Sequence, residues 1–264
     1  MEAIKMVDLK RQYDRFRVEI DKAIQEVLDS TAFINGPSVK AFRDEFASYL
    51  DVPYIIPCAN GTDALQVALM ALDLQPGDEV ITTPFSFIAS IEVIKLLGLV
   101  PVLADVDPRS FNIDPGQIEQ LVTKKTKAII PVHLFGQCAH MESIEDISHK
   151  HGLYVIEDTA QAVGTDYIFL DGSRKKAGTI GNIGTASFFP SKNLGCYGDG
   201  GAIITRDAAL HHKIQAIVNH GSRTKYYYDE VGVNSRLDTL QAAILRVKLR
   251  YLHTFHEARH QLPE

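Results

Sequence analysis

The sequence predicts an α/β domain built around a mostly parallel sheet that is buried on both faces. Two observations carry this: from Asn60 onward short apolar runs alternate with helical stretches, and the polar, glycine-containing segments that interrupt the alternation follow the runs directly. A chain of 264 residues that is 45% hydrophobic can bury one such sheet completely.

The elements follow in order. Val18, Ile20, Ala23, Ile24, Val27 and Leu28 recur at helical spacing, and Phe42, Phe46 and Leu50 do so again after Gly36-Pro37, so residues 1–50 are expected to form a peripheral helical arm. A helix over 64–72 is followed by an apolar run at 80–82, a helix through 91–97 and a run at 100–103. Next come a helix near 117–122, a run at 128–132, a helix near 143–149 and a run at 153–156. Residues 51–236 are therefore read as the large domain. Leu240, Ala243, Ile244, Val247 and Leu252 then predict one long helix within residues 237–264. In open sheets of this kind ligands bind beyond the carboxyl ends of the strands, which directs attention to residues 60–63, 84–87, 157–161 and 187–201.

Composition excludes several classes. The 33 acidic and 27 basic residues give a formal charge of -6 with no long runs, which leaves no electrostatic footprint for nucleic acid or an anionic membrane. No export signal or membrane-length apolar stretch is present, so a cytoplasmic location is the default expectation. Cys58, Cys138 and Cys196 are widely spaced and read as reduced, structural residues.

Lys192 lies between two β-type runs, in the segment TASFFPSKNLGCYGDGGAIIT. A partly shielded lysine there favours its neutral amine, the form that attacks an aldehyde. Most lysines are solvated surface charges, so this assignment needs partners. Asp158, at the end of YVIED, either begins a turn or holds a heteroaromatic nitrogen in its protonated form. Gln161 either makes loop hydrogen bonds or donates to a ring oxygen. Gly61, Thr62 and Asp63 open a strong helix and form either a plain N-terminal cap or a phosphate seat, to which Ser187 can add a hydroxyl. Phe87 either packs in the core or covers one face of a flat cofactor.

Competing motifs fail on spacing. The glycines near Lys192 follow the lysine, unlike a nucleotide-binding P-loop, and GTIGNIG at 178–184 has neither the spacing nor the preceding strand of a dinucleotide fingerprint. His149-Lys150-His151 lacks a carboxylate and a third ligand, so no metal site is expected, and there is no GxSxG elbow.

Taken in order, ANGTDAL, PFSF, EDTAQA, SFFPSKNLGCYGDGGA and GVNSRLDTLQAA resemble the DegT/DnrJ/StrS family of pyridoxal-phosphate (PLP)-dependent nucleotide-sugar aminotransferases, from about Asp8 to the end. The resemblance implies an aspartate-aminotransferase-type fold whose large domain carries a mainly parallel, seven-stranded sheet. It implies Lys192 as the lysine that binds the cofactor aldehyde and relays a proton, Asp158 as partner of the pyridine nitrogen and Gln161 as contact to the ring oxygen. It further implies Phe87 as the stacking ring, Gly61, Thr62, Asp63 and Ser187 as the phosphate cup, and Asn234 as a phosphate contact supplied by the neighbouring subunit of a homodimer.

The small C-terminal domain of such relatives is expected to be missing from a chain that ends at Glu264. GQCA at 136–139 and GVNSRLDTLQAAIL look closest to the branch that aminates C3 of a UDP-2-acetamido-3-keto-uronic acid for surface polysaccharide, and Arg236 either makes a structural ion pair or pairs with the uronate carboxylate. The implied reaction takes an amino group from a donor, expected to be glutamate, and delivers it to a UDP- or dTDP-linked keto sugar in ping-pong fashion. Two rivals are a PLP or PMP sugar dehydratase, whose relatives carry histidine where this chain has Lys192, and a non-catalytic truncated protein of the same fold.

Overall fold

The computed structural model describes residues 7–224 and 226–261. The first six residues of the expected arm and the last three of the tail lie outside the described residues. Helices α1 (Leu9–Ser30) and α2 (Pro37–Leu50) come first. Asp8 caps α1 by accepting from the Arg11 N–H, and Pro37 opens α2 at a position where a missing N–H costs nothing. The sheet strands and their intervening helices follow: β1 (Tyr54–Cys58), α3 (Gly61–Ala71), β2 (Glu79–Thr82), α4 (Ala89–Leu96), β3 (Val100–Leu103), α5 (Pro115–Leu121), β4 (Thr126–Ile129), α6 (Met141–His151) and β5 (Tyr154–Asp158). A small hairpin of β6 (Asp166–Ile168) and β7 (Arg174–Lys176) precedes β8 (Ile183–Ser187) and β9 (Gly201–Thr205). The described chain closes with α7 (Ala208–Ile217), α8 (Thr239–Leu249) and α9 (Leu252–His260).

Seven strands form one sheet in the order β1-β9-β8-β5-β4-β2-β3. All neighbours are parallel except at β9, which runs antiparallel to both β1 and β8. The expected mainly parallel, seven-stranded α/β sheet is therefore present.

Adjacent residues on each strand serve opposite faces, because strand side chains alternate. Ile56, Val80, Ala128, Ile156, Ile183 and Ile203 pack under α3, α4 and α7. Their neighbours Ile55, Ala186 and Ile204 pack under α2 and α8, while Ile81, Ile129 and Val155 pack under α5 and α6. The apolar run 100–103 forms an edge strand, with Val100 and Leu103 partly in solvent, and Pro101 is tolerated there because an edge position does not require every ladder N–H.

Two expectations change. The second helix of the arm is core: Phe42 and Phe46 are fully buried and meet Phe188 edge-on at 5.3 and 5.6 Å. The single long helix expected within 237–264 is two helices, α8 and α9, separated at Arg250 and Tyr251. The break brings Arg250 and the Tyr251 hydroxyl onto Glu19 of α1 at 2.7 and 2.6 Å. Tyr251 also packs its ring on Phe16 at 4.5 Å, so tertiary packing overrides a pattern with no glycine or proline in it.

Removing the Phe42 ring is expected to cost about 3–5 kcal/mol, read as a lower urea midpoint at constant slope. A loss below about 1 kcal/mol would place Phe42 outside the core that carries the sheet.

Candidate active site

The segments 60–63, 84–87, 157–161 and 187–201 each contribute side chains to one cleft of about 640 Å³ at the carboxyl ends of β1, β2, β5 and β8. Gly61, Thr62, Asp63, Phe87, Asp158, Gln161, Ser187 and Lys192 all line it. A groove of about 730 Å³ among α1, α2 and α8 is larger, but its charges are already paired, as in Arg246–Glu45. Chemistry rather than size selects the cleft.

Lys192 is half-buried and its Nζ makes no hydrogen bond among the described residues. Burial pushes its pKa below the ordinary lysine value, and the Asp158 charge offsets part of that shift. Asp158 sits at the end of β5 with 6% exposure. Its Oδ1 accepts from the Ala160 N–H at 3.0 Å and its Oδ2 from the Ser90 hydroxyl at 3.0 Å, so the carboxylate is fixed by one donor on each oxygen. Ser90, in the first turn of α4, gives its only proton to Asp158, and the Ser86 hydroxyl, which precedes that helix, lies 2.9 Å from Ser90 and 3.1 Å from the Phe87 carbonyl; sequence reasoning did not single out this pair.

Gln161 Oε1 accepts from the Phe135 N–H at 2.8 Å, which fixes the amide and frees its NH2 for the cleft. Phe135 adopts a left-handed conformation at φ 55° to make that contact. Phe87 is 68% exposed at the cleft wall, a ring face without a core role.

The candidate anion seat is at the start of α3. Asn60 caps the helix by accepting from the Asp63 N–H at 2.8 Å, while the N–H groups of Gly61 and Thr62, at the first two helical positions, have no carbonyl within the helix to bond. A Cβ on Gly61 would stand 2.6 Å from the Ser187 Cβ, so only glycine lets the helix end approach β8. Asp63 differs from its neighbours: its N–H serves Asn60 and its carboxylate accepts from the Ser235 hydroxyl at 2.6 Å. It braces the start of α3, where Gly61, Thr62 and Ser187 also line the cleft.

Asn234 and Arg236 stand outside this cleft. Asn234 is exposed and bridges to Asn219, and Arg236 lines a separate groove with Gln215, Asn219 and Arg223. Ser235 between them is buried and also accepts from the Ala59 N–H at 3.0 Å.

The adjacent Glu157 has no exposure at all. Burial alone would raise its pKa, but His133 and the N–H groups of Gly181 and Gly178 hold it below the ordinary carboxylate value. The His133 contact is 2.9 Å, and Gly178, Ile180 and Gly181 donate at 2.9, 2.7 and 2.7 Å. His133 Nδ1 accepts from the Ala139 N–H, so its proton resides on Nε2 and is donated to Glu157. The GTIGNIG stretch thus wraps a buried carboxylate; a Cβ at Gly184 would fall 2.1 Å from the Gly178 carbonyl oxygen.

The residues fit PLP: a cup of free helix N–H groups and a hydroxyl for a phosphate, a fixed carboxylate for a ring nitrogen, and a half-buried amine for an aldehyde. Among the described residues there is no cluster able to hold a metal ion and no helix long and apolar enough to cross a membrane. Cys58, Cys138 and Cys196 are free.

A half-buried lysine opposite a fixed carboxylate, beside an anion seat at the ends of a mainly parallel sheet, defines the class of enzymes that work on amines and carbonyls through an aldehyde cofactor. Residues 14–264 match the model of the DegT/DnrJ/EryC1/StrS aminotransferase family, and the chain belongs to that family, whose aminotransferases are PLP-dependent.

It is 50% identical over 256 residues to a pleiotropic regulatory protein of Geobacillus stearothermophilus, covering 97% of this chain and 68% of the relative. Over 246 residues it is also 50% identical to a UDP-2-acetamido-2-deoxy-3-oxo-D-glucuronate aminotransferase of Pseudomonas aeruginosa, covering 93% and 67%. The crystal structure of a DegT DnrJ EryC1 StrS aminotransferase from Brucella abortus superposes with a TM-score of 0.93 at 40% identity, covering 98% and 70%. The chain spans about two thirds of the length of these relatives.

Two outcomes are expected. Trinitrophenylation of Lys192 should titrate below about 10.4, the usual lysine value, and Asp158→Asn should move the midpoint lower still, since it removes a charge that favours the ammonium; an upward shift would contradict the arrangement. Glu157 contributes stability that is present above its unfolded pKa of about 4.3 and is lost as pH falls through its lower folded value. Acid unfolding curves of Glu157→Gln should lack that part of the slope, and an unaltered slope would remove Glu157 from the account.

Proposed function

We propose that this aminotransferase transfers an amino group from an amino acid, glutamate by preference, to a nucleotide-linked keto sugar, with a UDP-2-acetamido-3-keto-uronic acid as the acceptor. The single observation that carries the reading is the assembly of Lys192, Asp158 and the Gly61–Ser187 seat in one cleft. The Pseudomonas aeruginosa relative supports the choice of sugar. The destination proposed for the product is a surface polysaccharide.

PLP supplies an electron sink that stabilises negative charge at the carbon bonded to the migrating amine. Gly61 and Thr62 N–H groups and the Ser187 hydroxyl would hold its phosphate, Phe87 would cover a ring face, the Gln161 amide would donate to the ring oxygen, and Asp158 would pair with the ring nitrogen. Lys192, once its amine is free, takes a proton from the donor's α-carbon and returns one on the other side of the transfer. Its lowered pKa suits this work, because a base must be neutral near the operating pH to accept a proton.

Asn234 and Arg236 complete the cleft of a second copy of the chain in this reading. Supporting it, both lie outside their own cleft and flank the anchored Ser235, while Phe85, Phe87, Ile88, Phe111 and Phe135 leave an apolar rim exposed around the cleft mouth. Arg236 then pairs with the uronate carboxylate of the neighbouring site. The regulatory name of the Geobacillus stearothermophilus relative offers a non-catalytic reading, against which the unblocked amine of Lys192 opposite Asp158 stands.

Lys192→Ala should abolish both the long-wavelength absorbance of the bound cofactor and turnover with glutamate and UDP-linked 3-keto uronates, by at least about 10²-fold, with products identified by mass and NMR. Retention of transamination by this variant would end the proposal.

A further inference from the structure

The segment that carries Lys192 is fastened to α8 and, through Lys248 and Gln12, to α1. It leaves β8 at Phe188 and re-enters at β9, folded back on itself by Cys196 N–H donating to the Phe188 carbonyl at 2.8 Å. Helix α8 reaches it twice. Gln241 Oε1 accepts from the Tyr197 N–H at 2.9 Å, and Lys248 Nζ donates to the Gly195 carbonyl at 2.6 Å. Positions 241 and 248 are two helical turns apart and so share a face.

Lys248 is 1% exposed and, among the described residues, pairs with no carboxylate. Its three ammonium hydrogens are nevertheless accounted for by Gly195, by Gln12 Oε1 of α1 at 2.8 Å and by the ring of Tyr197, whose centroid lies 4.4 Å away. Burial lowers its pKa to about 8, partly offset by Cys196, which still leaves it charged at neutral pH. A buried cation this costly to place is expected where its donors hold something in position.

We infer that Lys248, with Gln241, is a positioning residue that clamps the backbone of the Lys192 segment to α8 and α1, so that only the Lys192 side chain moves during the proton transfers. The inference rests on the reading of Lys192 as the cofactor lysine, and a thiol readout makes it separable from that reading. Cys196 sits inside the clamped segment, fully buried, with its Sγ facing the Phe188 and Gly198 carbonyls at 3.0 and 3.2 Å. Cys58, equally buried in β1, reports on the sheet instead.

The test is Lys248→Met, which keeps the aliphatic stem and removes the donors. DTNB labelling, mapped by peptide mass, should speed up at least about tenfold at Cys196 while Cys58 stays within about twofold, with or without cofactor. With cofactor bound, kcat should fall about tenfold with KM for either substrate changed less than about twofold, since the reacting base is displaced and not the binding groups. Equal acceleration at both cysteines, or none at Cys196, overturns the clamp. Should Lys248→Met fail to fold, Gln241→Leu carries the same criteria, because it removes one acceptor from a half-buried position. If instead Lys192→Ala retained transamination while Cys196 still responded to Lys248→Met, the cofactor-lysine reading would fall and the clamp would stand.

Discussion

The buried carboxylate of Glu157 is the constraint on which the site is built. It lies in the central strand β5, where both faces are covered and no water reaches it, so its charge must be met by protein donors. His133 comes from the segment after β4 and the three N–H groups from the turn before β8, which means that one carboxylate ties together the strands on either side of its own. The backbone of His133 also donates to the Asp158 carbonyl. From this segment Phe135 then fixes Gln161. Asp158 and Gln161, which line the cleft, are thus placed by a neighbour that never enters it.

A division of labour runs along EDTAQ. Glu157 and Asp158 are adjacent in a strand and must point to opposite sides of the sheet, so one carboxylate can be structural and the other chemical only because the strand period is two. On the chemical side, the Ser90 hydroxyl holds Asp158 against the helix α4 that follows β2. On the structural side, the close approach of Gly184 to Gly178 leaves no room for a side chain in the turn around Glu157.

The sheet and the cleft were legible in the sequence because their signals are local. Apolar runs of strand length announced β2 to β5, and Lys192, Asp158 and Gly61 lie in compact motifs at strand ends. Glu157 was not legible, since the donors that satisfy it are 21 to 24 residues away and a charged residue beside Asp158 reads equally well as a turn. Lys248 was missed for the same reason: it sits within a good helical pattern, and its partners come from residues 12, 195 and 197. The break between α8 and α9 leaves no composition mark because Glu19 of α1 creates it. The β6–β7 hairpin is too short and too polar for periodicity to reveal. What escaped was decided by contacts between distant segments.

The single antiparallel strand has a consequence for how the protein comes into being. β1 pairs only with β9, matching Tyr54 to Thr205 and Cys58 to Gly201, so the anion seat at the end of β1 and the lysine segment that enters β9 are joined by one of the most non-local pairings in the chain. Such pairings close late and slowly, because the intervening loop entropy must be overcome before the contact gives anything back. A nascent chain on the ribosome therefore has no place for PLP until Thr205 has emerged and β9 has zipped between β1 and β8, and cofactor loading becomes a checkpoint that only the fully threaded sheet can pass.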